Sequence, residues 1–98
     1  MSKSLVTQEL DRLFDGILKL KTREECYAFF EDLCTMNELL SMGQRIQVAT
    51  MLTQHKTYHD IADLTGASTA TISRINRTLN YGNDGYELVL NRIEETKR

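Results

Sequence analysis

The sequence predicts an all-α fold, and three observations carry that prediction. Apolar residues recur at i, i+3 and i+4 along most of the chain. Threonine-led capping boxes stand at the heads of two of these periodic segments. Proline is absent, and no run of alternating β-branched residues competes with the helical pattern.

Each helix can be justified in turn. Val6, Leu10, Leu13, Phe14, Ile17 and Leu18 form one face of a first helix, expected from about residue 5. "TREE" (22–25) is a capping box, with Thr22 as N-cap and Glu25 reaching back. It opens a second helix with the stripe Cys26, Phe29, Phe30, Leu33 and Cys34. "TMNE" repeats the device from Thr35 to Glu38 and starts a third helix that runs to about Thr53. Leu39, Leu40, Ile46, Ala49 and Leu52 are its expected inward residues. Gly43 interrupts that helix at a cost of about 1 kcal/mol relative to alanine, and is expected to mark a close approach between helices. Thr57 caps a short fourth helix, "YHDIADLT", which Gly66 ends. Ala67 or Ser68 opens a fifth containing Ile72, Ile75 and Leu79. "NYGNDG" (80–85) has the composition of a turn, and a last helix from about Asp84 presents Tyr86, Val89, Leu90 and Ile93.

With 98 residues the chain is expected to form one domain. A domain of this size buries only about 60–65% of the surface its unfolded chain exposes, so oligomerisation would add useful stability. No segment has the apolar length of a signal peptide core or of a membrane span, so a cytoplasmic protein without membrane association is expected. Cys26 and Cys34 lie eight residues apart on one expected helix, about 12 Å by helical rise and too far for a disulfide. They are expected as buried thiols.

The net charge of −2 does not suggest nucleic acid, but its distribution is uneven. Residues 1–54 carry six bases against eight acids, and 81–98 carry three against four. Only 55–80 is positive, with three against two. That segment holds "TGASTATISRINR" (65–77), where a solvated loop and a nucleic-acid-reading helix are the competing explanations.

Spacing favours the second. Ala62 is small where a following helix must cross closely, and Gly66 sits where the turn needs a left-handed backbone. Ile61, Ile72 and Ile75 supply apolar contacts between the two helices, and the connection is three or four residues long. This is the pattern of a helix-turn-helix, whose second helix enters the major groove by its N-terminal end. Ser68, Thr69 and Ala70 would let the backbone approach base edges. Thr71, Ser73, Arg74 and Arg77 share the polar face, with the arginines in reach of phosphates. Thr57 and His59 would contact phosphate from the first helix. His55 and His59 are four apart, but no third ligand completes a metal set, and Asp60 and Asp63 are expected as helix-surface acids. No catalytic residue, metal or cofactor is expected, and no nucleophile elbow or phosphate-cradling loop is present.

"MGQRIQVATML" followed by "TYHDIADLTGASTATISRI" resembles the Trp repressor family, in particular its YerC/YecD-type branch, over residues 26–95. The resemblance rests most specifically on Gly43 and Arg45 and on Gly66, Ala67, Ala70, Thr71, Ile72 and Arg74. It implies a six-helix, intertwined homodimer acting as a transcriptional repressor on a double-stranded DNA operator. The single domain, 1–98, would use helices at about 5–54 and 84–97 for its shared core and 57–79 as a reading head. Two heads about 34 Å apart would read a palindromic site, partly through water.

The resemblance also implies an effector pocket. Arg45 and Arg74 match the arginines that sandwich tryptophan in the repressor, Thr35 and Thr71 match threonines of that pocket, and Thr78 stands in place of a serine near the ligand's amino group. Ile75 departs from the pattern, replacing a glycine that leaves room for the indole, so tryptophan is not the expected effector and none is identified. His59 replaces an operator-contacting arginine. A helical protein-interaction module that kept the fold without DNA affinity is the alternative, and the acidic total motivates it.

Overall fold

A computed structural model describes residues 7–97, which contain six helices. These are α1 (Gln8–Ile17), α2 (Arg23–Leu33), α3 (Met36–Thr53), α4 (Tyr58–Thr65), α5 (Thr69–Tyr81) and α6 (Gly85–Lys97). The chain divides into two compact units, Met1–Leu39 and Leu40–Arg98.

In the first unit, local side-chain chemistry sets the helix starts. Thr7 caps α1 by accepting from the Leu10 N–H at 3.1 Å. Val6 and the expected start near residue 5 lie outside the described residues. Thr22 and Glu25 form a complete capping box: Thr22 Oγ1 accepts from Glu25 N–H, and Glu25 Oε1 accepts from Lys21 N–H, one residue before the expected donor. At the head of α3, Thr35 Oγ1 accepts from Glu38 N–H while Glu38 Oε1 accepts from Thr35 N–H. Hydrogen bonding to the carboxylate by Thr35, from its backbone N–H first and its side chain second, holds the Glu38 carboxyl below its usual range.

The expected apolar stripes are formed but not covered. No residue of α1 or α2 is buried, Leu18 falls just beyond α1 at 80% exposure, and Leu33 is half exposed. Cys26 is an exposed free thiol, contrary to expectation, and Cys34 is half-buried at the end of α2. Phe29 and Phe30, both half-buried, meet edge to face with ring centroids 5.3 Å apart.

The second unit holds the core. Val48, Ala49 and Met51 of α3 pack with Ile61, Ala67, Ile72 and Ile75, flanked by Leu52, Ala62, Leu79, Tyr86 and Leu90. Ala49 and Leu52 therefore face inward as expected, whereas Leu40 (64% exposed) and Ile46 do not. Gly43 is not a close approach among the described residues, since a Cβ built there meets none of their heavy atoms within 4 Å outside its own helix backbone. On α6, Tyr86 and Leu90 are half-buried, while Val89 and Ile93 remain exposed.

The end of α3 has a geometry that its residues do not announce. His55 has a left-handed φ of 62°. Its N–H bonds to Leu52 O and the Lys56 N–H to Met51 O, the two hydrogen bonds of a Schellman motif, with histidine where glycine is usual. Further along, α5 continues through Asn80 and Tyr81, shortening the expected turn to 82–84. Asn80 Nδ2 donates to Asn76 O and the Gly82 N–H to Thr78 O, so the helical bonding outlasts the polar composition. Asp84, at φ 63°, leads into α6.

Candidate nucleic-acid interface

The segment from Thr57 to Tyr81 forms the expected helix-turn-helix. Thr57 Oγ1 accepts from Asp60 N–H and starts α4. Gly66 ends it with φ 76° and ψ 2°, its N–H bonded to Ala62 O at 2.9 Å. The chain then reverses through Ala67, which is buried, and Ser68 caps α5. Thr65 stiffens this corner: its hydroxyl donates to Ile61 O and accepts from Ala67 N–H, while its carbonyl accepts from Gln44 Nε2 of α3. Ile61 and Ile72 are fully buried and Ile75 nearly so, which holds α4 and α5 against α3.

Burial divides α5 cleanly. Ile72 and Ile75 face the core with Leu79 at its edge, while Thr69, Ala70, Ser73, Arg74 and Arg77 are exposed. Ser68 is also exposed, but its hydroxyl is committed: it accepts from Thr71 N–H at 3.1 Å and donates to Thr71 Oγ1 at 3.0 Å. Thr71 is half-buried. The low, exposed surface at the tip is therefore Ser68 to Ala70, with the Thr69 hydroxyl in none of the side-chain hydrogen bonds found among the described residues.

Electrostatics single out the same end. Each of the other five helices carries a carboxylate in its first turn, and α5 carries none. Acidic first turns offset the positive end of the helix dipole; here that end is left for an external anion. Arg74 and Arg77 add full charges along the exposed side, and among the described residues neither is in an ion pair. Thr57 and His59 lie at the exposed start of α4. His59 Nε2 sits 3.3 Å from Asp63 Oδ2 one turn on. Asp63 was expected only as a surface acid, although its i, i+4 spacing was the available signal.

Arg45, Arg74, Ile75 and Thr78 come together, with Tyr86, around an open cavity of about 250 Å³. Thr78 Oγ1 donates to Arg74 O, and both arginine side chains are exposed. Thr71 is not among the lining residues, and Thr35 belongs to the first unit, where it caps α3. Tyr86 was missed as a lining residue because its approach to Arg45 and Arg74 is a long-range contact without a local signature. Among the described residues there is no cluster of three metal-ligating side chains, and no helix is long and apolar enough to cross a membrane.

Known proteins resemble this chain in sequence and fold. The family described as Trp repressor protein matches residues 8–94. The uncharacterized protein YerC of Bacillus subtilis (strain 168) is 61% identical over 90 residues, covering 92% of this chain and 86% of its own. The crystal structure of a TrpR-like protein from Eubacterium eligens ATCC 27750 superposes with a TM-score of 0.91 at 59% identity, over 95% of this chain and 96% of that one. A protein from Staphylococcus aureus gives 0.90 at 54% identity, over 94% and 92%. The turn at Gly66, the divided face of α5 and the match along nearly all of the sequence lead to one conclusion: the chain belongs to the Trp repressor family.

Proposed function

We propose that this protein is a sequence-specific regulator of transcription, a repressor, that binds a double-stranded DNA operator as a homodimer through α4 and α5. The family as a whole is one of DNA-binding regulators. The observation that carries the finer reading is the exposed N-terminal end of α5, low in profile, free of carboxylates and followed by Arg74 and Arg77 on the same side. Ser68, Thr69 and Ala70 meet base edges, Ser73, Arg74 and Arg77 line the approach to the backbone, and Thr57 and His59 contact phosphate from α4. Thr71 holds the tip in shape through Ser68. The protein acts as a single domain in the cytoplasm.

A second copy supplies the cover that the apolar faces lack. Leu33 in the first unit, and Leu40, Ile46, Leu88, Val89 and Ile93 in the second, are too numerous and too exposed for a stable lone chain. Sedimentation equilibrium giving a monomer at micromolar concentration would remove this part of the proposal.

L-tryptophan is not the effector. Ile75 is 3% exposed and lines the same cavity as the two arginines, where an isoleucine side chain leaves less room for an indole than a glycine would. Calorimetry should detect no tryptophan binding at micromolar concentration, and clear micromolar heats would refute the claim. The DNA assignment is tested with Arg74→Ala plus Arg77→Ala on a duplex enriched by the protein from a random pool. Affinity should fall across sequences, and the salt dependence should shallow by about 0.9 per lost phosphate contact. Absence of duplex binding by the unmodified protein at low salt would favour an interaction module instead, a reading that the net charge of −2 supports.

A further inference from the structure

We propose that Asp84 is a site of spontaneous backbone isomerisation, through a cyclic imide formed with Gly85, and that the fold protects the chain's other aspartate–glycine pair. In such a pair the side-chain carboxyl is easily reached by the next backbone nitrogen, because glycine has no Cβ to obstruct the approach. The sequence contains the dipeptide twice, at Asp15–Gly16 and at Asp84–Gly85.

The two pairs share some surroundings and differ in the ones that matter. All of these residues are exposed, and both glycines have open space where a Cβ would stand. Asp15 and Gly16, however, lie inside α1. The Gly16 N–H belongs to the helical hydrogen-bond ladder, and closing a ring between it and the Asp15 side chain would require the helix to unwind. Asp84 is in no helix and ends the short link 82–84 with a left-handed φ of 63°. Gly85 is the first residue of α6, so its N–H has no acceptor within the helix, and none is found elsewhere among the described residues. The Asp84 carboxylate is likewise in none of the side-chain hydrogen bonds or ion pairs found among them.

The chemistry needs only water. The Gly85 nitrogen attacks Cγ of the protonated Asp84 carboxyl. A C–N bond forms, the Cγ–OH bond breaks, and the hydroxyl leaves with the amide proton as water. Water then adds back to one of the two carbonyls of the imide. Opening at Cγ restores aspartate. Opening at the backbone carbonyl carries the chain through Cβ and Cγ and leaves the α-carboxyl free. The consequence falls on α6. Asp84 O accepts from Leu88 N–H at 3.0 Å, and in the isomer that carbonyl is no longer part of the chain. The first turn of α6 then loosens around Tyr86, which lines the cavity with Arg45 and Arg74.

The test is to age the folded protein at neutral pH and follow its tryptic peptides 13–19 and 78–92, each with a single aspartate, by chromatography and mass spectrometry. Peptide 78–92 should split into a second species of unchanged mass that resists a protease cutting before aspartate, with a minor form lighter by one water. Deamidation of Asn80, Asn83 or Asn91 raises the mass and so reads separately. Peptide 13–19 should stay single, whereas synthetic copies of the two peptides, which have no fold, should both isomerise. Gly85→Ala has room for its methyl group and should slow the change. The aged protein should melt at a lower temperature, and aged Gly85→Ala should not. Peptide 78–92 staying single in the folded protein while its synthetic copy isomerises would overturn the proposal, as would equal conversion of 13–19 and 78–92.

Discussion

Replacing Gly66 by alanine isolates the backbone cost of the turn. Gly66 has φ 76°, in the left-handed region, and a Cβ built there meets no heavy atom within 4 Å. Steric collision therefore contributes nothing, and the penalty is conformational. An L-residue pays about 1–2 kcal/mol in this region. Alanine recovers part of that by restricting the unfolded chain, about 0.4–1 kcal/mol. The net loss should be about 1 kcal/mol, a fall in melting temperature of about 4–8 °C for a chain of this length. Thermal unfolding followed by circular dichroism, at one fixed protein concentration because assembly shifts the midpoint, measures it. Gly66→Asn should lose less than alanine, since asparagine tolerates a left-handed backbone. A loss above about 3 kcal/mol would reveal a packing role, and no loss would refute the conformational argument.

Three further outcomes follow from other elements. Ile72→Ala, at a fully buried site where α5 meets the core, should cost about 2–5 kcal/mol in chemical denaturation and reduce the folded population severely. His55→Gly should stabilise the protein by about 0.5–1 kcal/mol, because it relieves a left-handed histidine that makes the same two hydrogen bonds a glycine would; a melting temperature unchanged or lowered would count against it. Glu38→Gln should lower the melting temperature at neutral pH but not in acid. The Glu38 carboxyl is depressed below its ordinary 4.5, so its contribution is complete above that value and lost as pH falls through the lower folded one. The difference between the two proteins should therefore close below pH 4.5, and a difference constant with pH would contradict the capping box as its source.

What could be read in advance was what is encoded over three or four residues. Thr22, Thr35, Thr57 and Ser68 cap helices because a short hydroxyl side chain reaches an N–H one turn away, with no help from the rest of the fold. Gly66 and the isoleucines around it likewise form a pattern with fixed offsets. The end of α3 was opaque for the converse reason, since His55 has no side-chain preference strong enough to announce a left-handed backbone. Periodicity also identified the apolar faces of α1, α2 and α6 without revealing what covers them, and Val89, Ile93 and Leu18 on those stripes are exposed. Gly43 misled because a glycine inside a helix states what is permitted there, not what is nearby. At the candidate site, Arg45, Arg74, Ile75 and Thr78 were recognised by resemblance, whereas Tyr86 emerged only from three-dimensional placement.

The division of α5 has an evolutionary and practical corollary. Ile72 and Ile75 fasten the helix, while Thr69, Ala70, Ser73, Arg74 and Arg77 are exposed. Exchange at most of these outer positions should leave the scaffold upright, so that, on the proposed reading, the DNA-facing surface can change with little folding penalty. Arg74 is the exception, because it also borders the cavity with Arg45. On the proposed reading of α5, a change there would disturb the DNA-facing surface and the cavity wall together.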